Sequence, residues 1–390
     1  MPQAPTVIGM PRTKKLRDNH AHRIIRGSVA LLASAAVLGG SAVGGLGVAV
    51  ADPTGQPVKP TVAVIGLGGT IAGASDRRTN VETYEPGKLS ISDLVGSLHP
   101  EVADVADVST EEFGHRGSTD YTLADYYDLA RLIDQRLADH DAVVVSSGTA
   151  TMEELAYFLD LTVRSTKPVV VTGAMRPWTA IGSDGPPNLY NAIRLGASGR
   201  TKCFGTTVTL NDQIFPARDA TKTDSTRLNT FTTREYGDLG TIDEAGVRLQ
   251  RAPARIKDCG DPGKWETPFD LSTITRESLP RVEIASAYLA AAGEPVTADV
   301  GAGAKGIVFA GTPSPGQMTA ATAAAGHGVA VVAANGYGAG AISVDPKVGV
   351  ISAGDLAPKK ARILLLLALT KTADTHQISE WFRRYGNEQF

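Results

Sequence analysis

Only two cysteines, Cys203 and Cys259, occur among the 390 residues, so no disulfide framework can hold this chain, and its stability must come from a packed core. A single bridge and two separate thiols fit the sequence equally, because sequence gives no distance between the two backbones. Histidine is also sparse. Outside the N-terminal leader, His99, His115, His140, His327 and His376 show no ligand spacing, so a metal site has no support and no metal or other cofactor is assigned. Positive charge is not in excess either. The formal net charge is −3, and Arg12, Lys14, Lys15, Arg17, Arg23 and Arg26 sit together near the N-terminus, which leaves the rest of the chain more acidic and disfavours nucleic acid as a partner.

That basic stretch runs into Val29-Ala30-Leu31-Leu32-Ala33 and further small apolar residues, ending in Ala49-Val50-Ala51. A basic region, an apolar region and an A-x-A ending form an export signal, expected over residues 1–51 and removed by cleavage. The mature protein is then secreted or periplasmic, without stable membrane association. Residues 52–60 are a proline-containing spacer.

The chain is organised around Thr61-Val62-Ala63-Val64-Ile65-Gly66-Leu67-Gly68-Gly69-Thr70-Ile71-Ala72-Gly73. Its apolar, β-branched part reads as a buried strand, and the glycines that end it allow close backbone approach while presenting the Thr70 hydroxyl. A dinucleotide fingerprint fails because Ile71 stands where the third glycine is needed, and a phosphate loop fails because no lysine precedes Thr70. Two readings remain at this point: a nucleophile that needs a base and an oxyanion site elsewhere, or a plain helix cap. Ala74 to Lys88 is a polar loop long enough to act as a lid, with Tyr84 as its candidate functional group.

Further on, Thr122 caps a helix striped by Leu123, Tyr126, Tyr127, Ala130, Ile133 and Leu137, and strands are expected over Asp141–Val145, Lys167–Gly173 and Gly205–Leu210. Thr151 and Glu154 have capping-box spacing before another helix, and one more helix is expected around Asn188–Ala197. Alternating strands and helices imply an α/β fold with a mainly parallel sheet covered by helices and a site at the strands' carboxyl ends. The stretch from about 236 to 280 is rich in Gly, Pro, Asp and Thr without periodicity, and the domain connection is placed within it. The expected division is a larger N-terminal α/β domain over 61–265, a connection over 266–280 and a smaller C-terminal α/β domain over 281–390.

Strand ends thus offer Thr70, Thr149 and the stretch Arg218-Asp219-Ala220-Thr221-Lys222-Thr223. Two hydroxyls and a lysine suit amide cleavage: one hydroxyl attacks the carbonyl, and a lysine with a pKa lowered by burial manages the proton. From about residue 61 onward the chain resembles the bacterial type II L-asparaginases, also called glutaminase-asparaginases. The resemblance rests on Gly68–Gly73, Thr151–Val163, Lys167–Pro177, Asp184–Ala192 and Arg218–Thr223, five blocks in order. It implies that Thr70 is the nucleophile, Tyr84 the lid tyrosine, Thr149 the second catalytic threonine and Lys222 its partner. Gly69, Ser118, Thr119, Ala150 and Ala174 fall at substrate-binding positions, Ser118 as a ligand of the substrate α-carboxylate. The implied assembly is a homotetramer, a dimer of dimers, and the implied substrate a small-molecule amide.

The chain departs from the family pattern where function is concerned. Ser147-Gly148-Thr149-Ala150-Thr151 replaces His-Gly-Thr-Asp-Thr, so the aspartate that holds a substrate ammonium is Ala150 here. Thr119 stands for a glutamine and Leu67 for a threonine, and neither Thr312–Gly316 nor Asn335–Gly340 supplies the family's Asn and partner-subunit Glu. The expectation is an exported amidohydrolase acting on L-asparagine or a related small amide. The rival expectation is a catalytically impaired relative acting as a secreted binding or structural protein.

Overall fold

The computed structural model describes residues 58–344 and 349–386; the expected leader lies outside the described residues. The apolar runs form strands, and their alternating side chains feed two layers. Strands β1 (Thr61–Gly68), β2 (Asp107–Arg116), β3 (Ala142–Ser146), β4 (Val169–Thr172), β5 (Thr206–Leu210) and β6 (Gln213–Pro216) belong to one sheet of eight, completed by β9 (Gly240–Asp243) and β10 (Gly246–Leu249). Its order is β10-β9-β6-β5-β4-β3-β1-β2. The pairings among β1 to β5 are parallel and the rest antiparallel. Strands β7 (Thr221–Lys222) and β8 (Phe231–Thr232) form a separate ribbon.

Helices α1 (Ile91–Gly96), α2 (Glu101–Val105) and α5 (Gly185–Ala197) cover one face, and α3 (Leu123–Asp139) and α4 (Met152–Thr162) the other. The period of two in β1 decides which residue goes where: Val62 and Val64 pack with α5, while Ala63, Ile65 and Leu67 pack with α3 and α4. The Thr122 cap forms as expected, as a full capping box with Asp125. Helix α5 starts at Gly185, ahead of the expected Asn188, because Pro186 and Pro187 fit a first turn whose N–H groups are unbonded anyway.

Beyond the short α6 (Pro262–Trp265) lies a four-stranded parallel sheet, β11 (Val282–Ser286), β12 (Gly306–Ala310), β13 (Ala330–Ala334) and β14 (Ile351–Ser352). It carries α7 (Glu294–Gly301), α8 (Pro315–Gly326), α9 (Pro358–Leu369) and α10 (Thr375–Tyr385). Helix α9 packs on α4 as well as on β11, β12 and β13, and its whole run Ile363–Ala368 is buried. A run that is apolar on every side needs partners on every side, and here α4 and the small sheet supply them. One continuous hydrophobic cluster therefore extends from the strands of the large sheet through α4 and α9 to those of the small one.

Two sequence expectations need correction. The stretch from 236 to 280, read as lacking periodicity, holds regular structure: β9 and β10, within the expected N-terminal domain, form a hairpin at the edge of the large sheet, with Gly240 at φ 159° and Gly246 at φ 125°. Thr151 does not cap α4 with its side chain; its use is described below. Cys203 and Cys259 are bonded, with Cα atoms 5.5 Å apart, which settles the question of pairing. The indole of Trp265 donates to the Cys203 carbonyl at 2.8 Å.

Candidate active site

The parallel strands run in the order β2-β1-β3-β4-β5, so the chain leaves β1 and β3 in opposite directions across the sheet. The crevice at the carboxyl ends of two such strands is where α/β sheets bind ligands. Gly68 and Gly69 follow β1 at φ 87° and 75°, a left-handed pair that only glycine adopts without strain. A methyl group on Gly69 would lie 2.3 Å from both Cα and N of Gly148. The turns ending β1 and β3 are therefore in direct backbone contact, and Thr70 and Thr149 each follow immediately from it.

Thr70 is half-buried, and its Oγ1 lies 2.7 Å from the hydroxyl of Tyr84. The Tyr84 loop is held down from several sides. Ala74 and Glu85 exchange backbone hydrogen bonds of 3.1 and 2.8 Å, Gly87 N donates to Gly69 O at 3.0 Å and Leu89 N to Ala72 O at 2.9 Å. The loop expected to act as a lid thus lies closed over Thr70, with the tyrosine ring against Gly73.

Thr149 is buried. Its hydroxyl receives a hydrogen bond from Lys222 Nζ at 2.8 Å and points its own hydrogen at Met175 Sδ, 3.5 Å away. Burial, and after it the like charge of Lys359, holds the Lys222 ammonium below its ordinary pKa, with Asp224 pulling the other way. In its neutral form a lysine amine can accept a proton from a hydroxyl within hydrogen-bond reach.

Ser118 is buried, and a Cβ on Gly148 would come within 3.1 Å of its Oγ. Its backbone is fixed by Thr151, whose hydroxyl donates to the Ser118 carbonyl at 2.9 Å and accepts from Tyr126 at 3.1 Å. This explains the missing cap: the Thr151 side chain is used to tie the Ser118 turn to the start of α4. Thr119 and Ala150 are both exposed. Ala174 is fully buried and its methyl group belongs to the core, leaving only its backbone for a ligand.

The structure thus brings Gly69, Thr70, Tyr84, Ser118, Thr149 and Lys222 around one crevice. Sequence reading missed Met175, whose thioether is a weak acceptor without a recognisable spacing signal, and Asp184. The Asp184 carboxylate accepts from the N–H groups of Met175, at 3.1 and 2.9 Å, and Arg176, at 2.9 Å, and so fixes the turn after β4. It also missed Glu153, Lys359 and Lys360. Lys359 Nζ donates to Glu153 Oε1 at 2.9 Å and Lys360 Nζ to Oε2 at 3.2 Å. In the sequence these residues carry no signal of their own, because charges in the first turn of a helix are ordinarily solvated. Among the described residues no group of three or more His, Cys, Asp or Glu side chains is placed to hold a metal ion.

Comparison with known proteins agrees over nearly the whole described chain. Residues 61–255 match the family model "Asparaginase, N-terminal" and residues 281–382 match "Glutaminase/Asparaginase C-terminal domain". L-asparaginase 2 of Escherichia coli is 41% identical over 335 residues, covering 84% of this chain and 93% of that protein. A probable periplasmic L-asparaginase of Haemophilus influenzae is 38% identical, covering 87% and 97%. The crystal structure of a probable cytoplasmic L-asparaginase from Campylobacter jejuni superposes with a TM-score of 0.78 at 38% identity, covering 84% of this chain and all of that one. With both halves of the fold and the sequence accounted for, the chain belongs to the asparaginase family and is an asparaginase-type amidohydrolase.

Proposed function

We propose that the protein hydrolyses the side-chain amide of L-asparagine or a related small amide through an ester on Thr70. Thr70 Oγ1 attacks the amide carbon, its proton passing toward Tyr84, which touches it at 2.7 Å. The Tyr84 hydroxyl passes its own proton on to the departing nitrogen as it takes that of Thr70, the C–N bond breaks and ammonia leaves. In the second half the unprotonated Lys222 amine, through the Thr149 hydroxyl, takes a proton from water as it attacks the ester carbon; the bond to Thr70 breaks, the proton returns to Thr70 Oγ1, and the acid product leaves and ionises to the carboxylate. The observation that carries this reading is the 2.8 Å contact between the half-buried Lys222 amine and the buried Thr149 hydroxyl.

Ala150 offers no carboxylate to a substrate ammonium, so recognition rests on Ser118 and on backbone groups of the crevice. The reading includes export, from the leader sequence, and assembly as a homotetramer. The test is ammonia release by the purified protein from L-asparagine, L-glutamine and succinamate, with Thr70→Ala alongside. Release that disappears in Thr70→Ala supports the reading. Release that persists in Thr70→Ala refutes the nucleophile, and a wild type inert on every amide leaves the impaired-relative reading in its place.

A further inference from the structure

Helix α9 comes from the far side of the fold and delivers two lysines to the neighbourhood of Lys222. Lys360 is fully buried. Its Nζ donates to Glu153 Oε2 at 3.2 Å, to the Ala220 carbonyl at 2.5 Å and, at the limit of bonding distance, to Thr221 Oγ1 at 3.5 Å. All three protons of the ammonium are thereby placed. Glu153 lies in the first turn of α4, the helix that begins just after Thr149, and Ala220 and Thr221 directly precede Lys222.

Burial raises a carboxyl group, yet Lys360 and then Lys359 outweigh it and hold Glu153 ionised below the usual range. Lys360 in turn faces Glu153, Asp219 and Arg234. A buried ion pair is a poor route to stability, since apolar side chains of equal volume commonly do as well. What such a pair does supply is a fixed geometry, and the two pieces of chain it joins carry the two members of the Thr149–Lys222 contact.

We infer that Lys360, anchored by Glu153, is a positioning residue for the reaction: it clamps the strand carrying Lys222 to the helix following Thr149 and so sets the distance between amine and hydroxyl. The inference rests on the reading of Thr149 and Lys222 given above. It adds that the C-terminal part of the fold takes part in catalysis through α9, without touching substrate.

The test is the charge-balanced pair Lys360→Met with Glu153→Gln, assayed on whichever of L-asparagine, L-glutamine and succinamate the wild type turns over fastest. With the clamp gone, kcat is expected to fall ~10- to 100-fold while KM stays within about twofold, as befits lost alignment and not lost binding. The acid limb of the kcat/KM profile is expected to move to higher pH, because a loosened Lys222 is better solvated; Asp224 is untouched, and Lys359, which loses its Glu153 partner, still carries its charge. A purely structural role moves neither the kcat-to-KM balance nor the profile of the folded fraction. Lys360→Gln with Glu153→Gln, in which two amides retain a hydrogen bond, serves if the methionine version does not fold. A folded variant of either kind with wild-type kcat and profile overturns the inference, and so does failure of both to fold, which would make the clamp structural. Lys222→Met separates the two levels: if it keeps full turnover, the reading of Lys222 itself fails; if it is inactive while the clamp variants are unaffected, only the clamp is refuted.

Discussion

Substituting Gly69 by alanine probes the contact on which the site is built. At φ 75° the new side chain meets the left-handed penalty of ~1–2 kcal/mol. Its Cβ would also sit 2.3 Å from Cα and N of Gly148. Both are backbone atoms with no rotamer to turn aside, and carbon atoms in contact settle at ~3.5 Å, so the two turns must part by about 1 Å. A displacement of that size between reacting groups is worth ~100-fold in rate. Gly199→Ala is the control, because Gly199 also has a positive φ, 63°, but nothing within 4 Å of its Cβ position. Denaturant unfolding should show both variants destabilised by ~1–2 kcal/mol from the backbone alone. A coupled ammonia assay should show a loss of kcat on the order of 100-fold in Gly69→Ala only. A folded Gly69→Ala enzyme with kcat within about twofold of the control would refute the reasoning, since the contact could then be relieved without cost to the chemistry.

Ala150→Asp places a carboxylate at an exposed position without a burial penalty and is expected to raise kcat/KM for L-asparagine ~10-fold; steady-state kinetics showing no gain would mean that residue 150 does not face the substrate ammonium. Lys359→Gln removes a positive charge that depresses the Lys222 pKa. Activity needs the unprotonated amine and is lost as pH falls through that pKa, so raising the pKa shifts the acid limb of the kcat/KM profile to higher pH, and an unmoved limb would contradict the assignment. Replacing Cys203 and Cys259 by serine frees a loop spanning 56 residues of sequence separation and should cost up to ~4 kcal/mol of unfolding free energy on the chain-entropy account, measurable by denaturant titration against the oxidised wild type.

Much of this was legible in the sequence because it depends on local rules. The β-branched runs at Val62–Ile65, Ala142–Val145 and Val169–Val171 specify buried strands, and the glycines that close β1 announce a tight turn with a hydroxyl after it. What escaped depends on contacts between distant segments. Thr151 and Glu154 have the spacing of a capping box, yet Thr151 bonds to Ser118 and Glu154 pairs with Arg362 at 3.4 Å. The β9–β10 hairpin hides in a Gly- and Asp-rich stretch because an edge hairpin needs little apolar pattern. Lys359 and Lys360 look like ordinary surface charges at a helix start until α9 is seen wedged against α4.

The wedging of α9 also bears on how the molecule can be divided. The leucines and isoleucine of Ile363–Ala368 complete the packing of α4 while covering the small sheet, so a polypeptide ending near residue 280 would leave an oily furrow along α4 open to water. Such a fragment is expected to aggregate when produced alone. Heating the intact chain should give one cooperative transition instead of two, because neither part keeps a finished interior once the other has melted.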